Sequence, residues 1–289
     1  MPVRSIVCLH NGYDYEVSAL KTAVSLAQHF SAHLRVLHAS YVAQPTASYF
    51  GEAAVLGAGW QDVIEQQVKA DLERARESAT KVCAEAGLAL SEIPSADLPR
   101  AEFVPMQKYA PRTLTQTLSV ADLTIVGVPK GASIVDDSVA SVALFSTYRP
   151  LLVVRAQDSG APIAGSTCAF AWSGTPEATR ALTGAVGILA AASEVRLVTA
   201  NGNPDAPPSE DQQLALDYLA AHGITARLDV LPHQQGVSAG EAVLTHARSV
   251  GCRAIVMGAY GHSVFRETLL GGFSEYMLEE AELPLVLCH

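Results

Sequence analysis

Apolar runs of five to seven residues alternate along the chain with longer stretches in which apolar positions recur at helical spacing. In the C-terminal half the runs at 167–172, 194–200, 226–231, 253–258 and 284–288 predict strands. The helical patterns fall at about 176–191, 209–222, 238–250 and 272–281. Runs such as "AIVMG" and "LPLVL" are apolar throughout and do not alternate, which marks strands covered on both faces, as in a parallel sheet between helix layers. Strand–helix alternation with right-handed crossovers then predicts a doubly wound α/β sandwich. The N-terminal half follows the same plan with an insertion at 41–87. A loop-like stretch, "YVAQPTASYFGEAAVLGAGW" (41–60), precedes a long amphipathic helix whose buried side is expected to carry Val63, Val68, Leu72 and Ala75. The loop reads as a packed loop, a lid or a partner surface.

The two halves repeat one another. "RSIVCLHNGYDYEVSALKTAVSLA" (4–27) aligns with "STCAFAWSGTPEATRALTGAVGILA" (166–190), setting Asn11-Gly12 on Ser173-Gly174 and Ala19-Leu20 on Ala181-Leu182. "ADLTIVGVPKG" (121–131) matches "CRAIVMGAYGH" (252–262), and "RPLLVVR" (149–155) matches "LPLVLCH" (283–289). Three matched blocks in one order predict tandem domains, 1–157 and 164–289, joined through the Gly-, Pro- and Ala-rich segment 156–166. Each domain ends in a short apolar strand, Leu151–Val154 and Leu285–Leu287. An open sheet edge leaves backbone groups unpaired. Antiparallel pairing of these two edges would cap both sheets and make a pseudo-two-fold dimer within one chain. Association of two chains into a homodimer stays open.

Composition narrows the setting. The 289 residues are 49% hydrophobic and 17% charged, with a formal net charge of −10. An acidic surface repels phosphate backbones, so neither nucleic acid nor an anionic membrane is an expected partner. No apolar stretch approaches the roughly 18 residues of a membrane span, and the run in "MPVRSIVCLHNGYDYE" is too short for a signal peptide. Five scattered cysteines without a CxxC pair predict reduced thiols and a cytoplasmic protein.

In open parallel sheets ligands sit outside the carboxyl ends of the strands, where strand order reverses. That directs attention to Asn11, Gly12 and Gly127 in the first half and to Ser173, Gly174, Ala200, Met257 and Gly258 in the second. Gly258 and Gly261 would let the backbone approach a ligand. Gly271 and Gly272 stand at the start of a helix whose N–H groups favour an anion, with Phe273 and Ser274 following. His262 and Arg266 could add positive charge, and Trp172 could wall an adenine pocket. By spacing alone, a βα loop whose glycines only make turns explains these positions as well.

The pattern resembles the universal stress protein family, over nearly the whole chain. "GAYGHSVFRETLLGG" meets that family's nucleotide signature at Gly258, Gly261 and Gly271, with Gly272 where a hydroxyl residue usually stands. The resemblance implies a non-catalytic stress-response module that binds ATP or another adenine nucleotide, Mg²⁺ with it, in the second domain. It also implies departures. The family's first strand ends in Asp-Gly-Ser, whose Asp contacts adenosine; Asn11 and Ser173 stand there instead. In "GVPKGASIVDDSVASVALFSTYRPLLVV" Lys130 replaces the second glycine, the loop is three residues short, and Asp137-Ser138 occupy the Gly-Ser position. Asp136 and Asp137 would repel a phosphate and suit a helix cap. A nucleotide-free scaffold, or a binder of another small ligand, is the competing expectation.

Enzymatic readings have less support. "WSGTPEAT" shares only Ser-Gly with the Ser-Gly-Gly-x-Asp-Ser loop of ATP pyrophosphatases, and no Gly-x-Ser-x-Gly stands near a strand end. At most slow ATP hydrolysis is expected. His29, His33 and His38 are not expected to converge on a metal.

Overall fold

The computed structural model describes residues 3–39, 59–91, 97–106, 111–129, 131, 134, 138–156, 162–259 and 272–289. The first half runs β1 (Ser5–Leu9), a short 3-10 turn (Asp14–Glu16), α1 (Val17–Phe30), β2 (His33–Ala39), α2 (Gly59–Glu85), β3 (Arg100–Met106), α3 (Pro111–Ser119), β4 (Leu123–Val128), α4 (Ser138–Ser146) and β5 (Leu151–Arg155). The second half runs β6 (Thr167–Ala171), α5 (Pro176–Gly184), α6 (Val186–Leu189), β7 (Glu194–Gly202), α7 (Glu210–Ala221), β8 (Ala226–Pro232), α8 (Ala239–Ser249), β9 (Ala254–Gly258), α9 (Gly272–Glu280) and β10 (Leu285–Cys288).

Ten strands form one sheet in the order β3-β2-β1-β4-β5-β10-β9-β6-β7-β8. Pairing is parallel everywhere except between β5 and β10, where Leu285, Val286 and Leu287 face Val153, Leu152 and Leu151. The two exposed edges foreseen from the apolar strand ends do cap one another. Apolar runs become buried strands because both faces are covered. One face packs Ile6, Cys8, Leu152, Val154, Phe170 and Val286 against the layer of α1, α2, α5, α6 and α7. The other packs Val7, Leu9, Leu151, Val153, Ala169 and Leu287 against α3, α4, α8 and α9. Both cores run through the seam without a break.

Local chemistry starts the helices. Thr175 caps α5, its side chain accepting from the Ala178 N–H, with Pro176 in the first turn. Ser238 does the same for α8 through the Glu241 N–H. Ser209 and Gln212 form a reciprocal capping box at α7.

Two expectations need correction. The pattern at 176–191 is two helices, because the backbone leaves helical geometry at Ala185. Gly184, which ends the first of them, packs against the seam: a Cβ there would lie 3.5 Å from Cys288 Sγ and 3.8 Å from Pro150 Cγ. The buried stripe of α2 also lies further along than expected. Val68 and Leu72 are half-buried, while Ala75, Ala79, Val82 and Cys83 are buried. The Val63 side chain and the 41–58 part of the insertion are outside the described residues. All five cysteines are free and buried. No helix among the described residues is long and apolar enough to cross a membrane.

Candidate functional site

In each half the first strand ends at a point where strand order reverses, β1 between β2 and β4 and β6 between β7 and β9. A polar residue and a left-handed glycine follow each strand. Gly12 has φ +84° and Gly174 has φ +68°. At these two rims the halves diverge.

The first rim is closed by the chain itself. A Cβ on Gly12 would meet Ala75 N at 2.8 Å and Ala75 Cα at 2.9 Å, so the backbone of α2 lies directly on this glycine. The Arg74 guanidinium covers the Tyr13 ring at 5.2 Å. Asn11, a candidate for holding a ribose or base, uses its Oδ1 to accept the Ala39 N–H at 3.1 Å. The N–H groups of Asn11 and Tyr13 donate to Glu16 Oε2 at 2.7 and 3.1 Å, placing the protein's own carboxylate where a ligand anion would otherwise be held.

Beneath that carboxylate lies His10, 0% exposed, with neither ring nitrogen hydrogen-bonded and Nδ1 3.6 Å from Glu16 Oε2. Burial, and then the charge of His38, lowers its pKa from 6.5 to about 4. His38 is lowered too, chiefly by burial. A depressed histidine is neutral in the fold and protonates first in the unfolded chain. His10 therefore lends no penalty above pH 6.5, and stability is lost as pH falls from there toward 4. The expected loss by pH 5 is about 2 kcal/mol. Urea denaturation between pH 7.5 and 5 should show it, and His10→Phe should flatten the slope; an unchanged slope in that variant would place the acid sensitivity elsewhere.

Among the described residues the second rim is open. Ser173, Gly174 and Thr175 are exposed. Facing Gly174 is only a side chain: a Cβ there would lie 2.9 Å from Asp211 Oδ2. Trp172 Nε1 donates to that oxygen at 2.8 Å, and Ser209 Oγ donates to Oδ1 at 2.7 Å. These two bonds hold the Asp211 pKa below the usual carboxylate value. A carboxylate thus stands beside the end of β6 although the strand itself has none. It arrives from α7, an element that the local motif at 172–175 does not contain, so no reading of that motif could find it.

Trp172 is 7% exposed and packs in the core with Phe170. Met257 is buried in the opposite core, and the partly buried Ala200 and Phe273 pack against that core. Ser274 is buried and Gly272 is exposed at the first turn of α9. Gly261, His262 and Gly271, with Arg266, are outside the described residues. So are Lys130, Asp136 and Asp137, and of Ser138 only its place as first residue of α4 is described.

Gly258 and Gly127 serve the fold. A Cβ on Gly258 would lie 2.6 Å from the Glu177 carbonyl carbon and 2.8 Å from Ala178 N; one on Gly127 would lie 2.6 Å from Glu16 Cα. Glu16 and Ala178 are equivalent in the repeat. Each glycine lets the start of the helix after the first strand pass across the neighbouring strand end. The close approach read at Gly258 is an approach by α5. No group of three or more histidine, cysteine, aspartate or glutamate side chains among the described residues could hold a metal ion.

Residues 167–289 match the universal stress protein family. Two solved structures share the fold over the whole chain. A universal stress protein from Archaeoglobus fulgidus DSM 4304 is 15% identical, with a TM-score of 0.66 over 98% of this chain and 97% of that one. A functionally unknown protein from Pseudomonas aeruginosa PAO1 is also 15% identical, with a TM-score of 0.55 over 99% of this chain and 92% of that one. Curated proteins gave no match.

Proposed function

We propose that this chain, whose residues 167–289 match the universal stress protein family, is a non-catalytic stress-response protein of the cytoplasm that binds one adenine nucleotide, ATP or a relative with Mg²⁺, in its second half. The observation that supports this reading is the contrast between the rims. At β6 the strand-end groups are exposed, and an oriented, ionised carboxylate stands beside them. At β1 the backbone of α2 and the Glu16 carboxylate fill the corresponding space. Asp211 accepts one hydrogen bond on each oxygen, which leaves acceptor capacity on both for the hydroxyls or amino group of a nucleoside. The first half then acts as a scaffold, joined to the second through the β5–β10 seam, and the tandem domains 1–157 and 164–289 divide binding from support.

The direct test is calorimetric titration with ATP. Gly174→Val forces a β-branched side chain into a left-handed conformation and against Asp211. It should weaken ATP binding about tenfold or more, the scale of one or two lost hydrogen bonds to a charged group. An unaltered affinity in Gly174→Val would remove the β6 rim from the binding site, and no binding in the wild type would favour the ligand-free scaffold.

A further inference from the structure

We propose that the guanidinium of Arg155, at the carboxyl ends of β4 and β5, binds a small oxyanion of the phosphate class in the first half of the chain. Arg155 is 3% exposed. Its Nη1 donates to the Pro129 carbonyl at 2.9 Å, while Nη2 is buried without a hydrogen-bond partner. Some arginines pair with carboxylates, among them Arg74 with Asp71, Arg180 with Glu177, Arg196 with Asp229 and Arg248 with Glu282, while the exposed Arg4 and Arg149 donate to backbone carbonyls. Among the described residues no carboxylate pairs with Arg155. Burial pulls its pKa down, yet a guanidinium stays protonated in proteins. A buried charge is tolerated when it is paired and its donors are used. The planar fork of arginine fits two oxygens of a phosphate or carboxylate.

Its place supports a ligand. Val128 of β4 lies in register with Arg155. Leu151 and Val153 belong to the core under α3 and α4, and Leu152 and Val154 to the opposite one, so alternation assigns Arg155 to the α3–α4 side. Gly131, two residues beyond Pro129, is exposed, and a Cβ on it would meet nothing within 4 Å. The second half has no such charge. His289 takes the equivalent position, its Nδ1 3.2 Å from the Ala259 carbonyl and its ring edge-on to Phe145 at 5.3 Å. The proposed anion is therefore separate from the nucleotide of the second half. The chain's own candidates for the role are Asp136 and Asp137, which precede α4 in sequence.

Thermal denaturation at constant ionic strength with rising inorganic phosphate tests this, on wild type, Arg155→Met and the exposed-site control Arg149→Met. Wild type and Arg149→Met should gain about 2–4 °C once phosphate exceeds its dissociation constant tenfold. Arg155→Met should gain nothing, while its ATP affinity stays at the wild-type value. Should Arg155→Met fail to fold, Arg155→Lys keeps the charge without the fork and should respond less than wild type. Wild-type protein should also broaden the ³¹P resonance of phosphate. Equal gains in wild type and Arg155→Met, or no gain and no broadening in wild type, would overturn the proposal. So would a phosphate-insensitive wild type that loses stability on Asp136→Asn or Asp137→Asn, since the loop would then be the partner of the guanidinium.

Discussion

Val286→Asp is expected to abolish cooperative folding at 37 °C. Val286 is 0% exposed, in register with Leu152 of β5 on one side and Val256 of β9 on the other. Its side chain lies in the core shared by both halves. A carboxylate there has no partner, and an unpaired buried charge costs about 5 kcal/mol or more. That is the scale of the whole stability of many domains. Leu214→Asp is the matching control, on a residue that is 63% exposed, where about 0.5 kcal/mol or less is expected. Urea denaturation followed by circular dichroism reads both. If the two variants differed by less than about 1 kcal/mol, the seam could not be a tightly packed joint.

Gly258→Ala carries the second large effect. The added methyl group meets backbone atoms of Glu177 and Ala178 at 2.6 and 2.8 Å, and backbone cannot swing aside as a side chain can. Moving α5 away from β9 should cost about 3 kcal/mol or more. Gly272→Ala, where nothing lies within 4 Å, should be close to neutral. Denaturation midpoints for the pair separate a glycine that serves packing from one with free space around it. Similar midpoints for the two would return Gly258 to the role of a ligand-contact glycine.

These two residues also show what a sequence can reveal. The β5–β10 pairing was legible because an apolar strand at a sheet edge has to be covered, and the only other edge of the same kind lay at the end of the second repeat. The strands were legible because continuous apolar runs such as Ala254–Gly258 have few other uses. Glycine identity marked Gly258 as a place of close approach, but glycine does not say what approaches. Two other features lay beyond local pattern. The buried face of α2 is built from Ala75, Ala79 and Cys83, whose small side chains give a weak apolar period beside Val63, Val68 and Leu72. Asp211 and Glu16 act at the rims from neighbouring elements, and neither belongs to the strand-end motif it completes.

Among the described residues the β6 rim is open and its twin at β1 is sealed by α2 and Glu16. Native mass spectrometry of the intact chain titrated with ATP counts the sites directly. The expected spectrum saturates at a single nucleotide mass per chain, and Gly174→Val reduces that peak. Saturation at two nucleotides per chain, or an undiminished single peak in Gly174→Val, would contradict that difference between the rims.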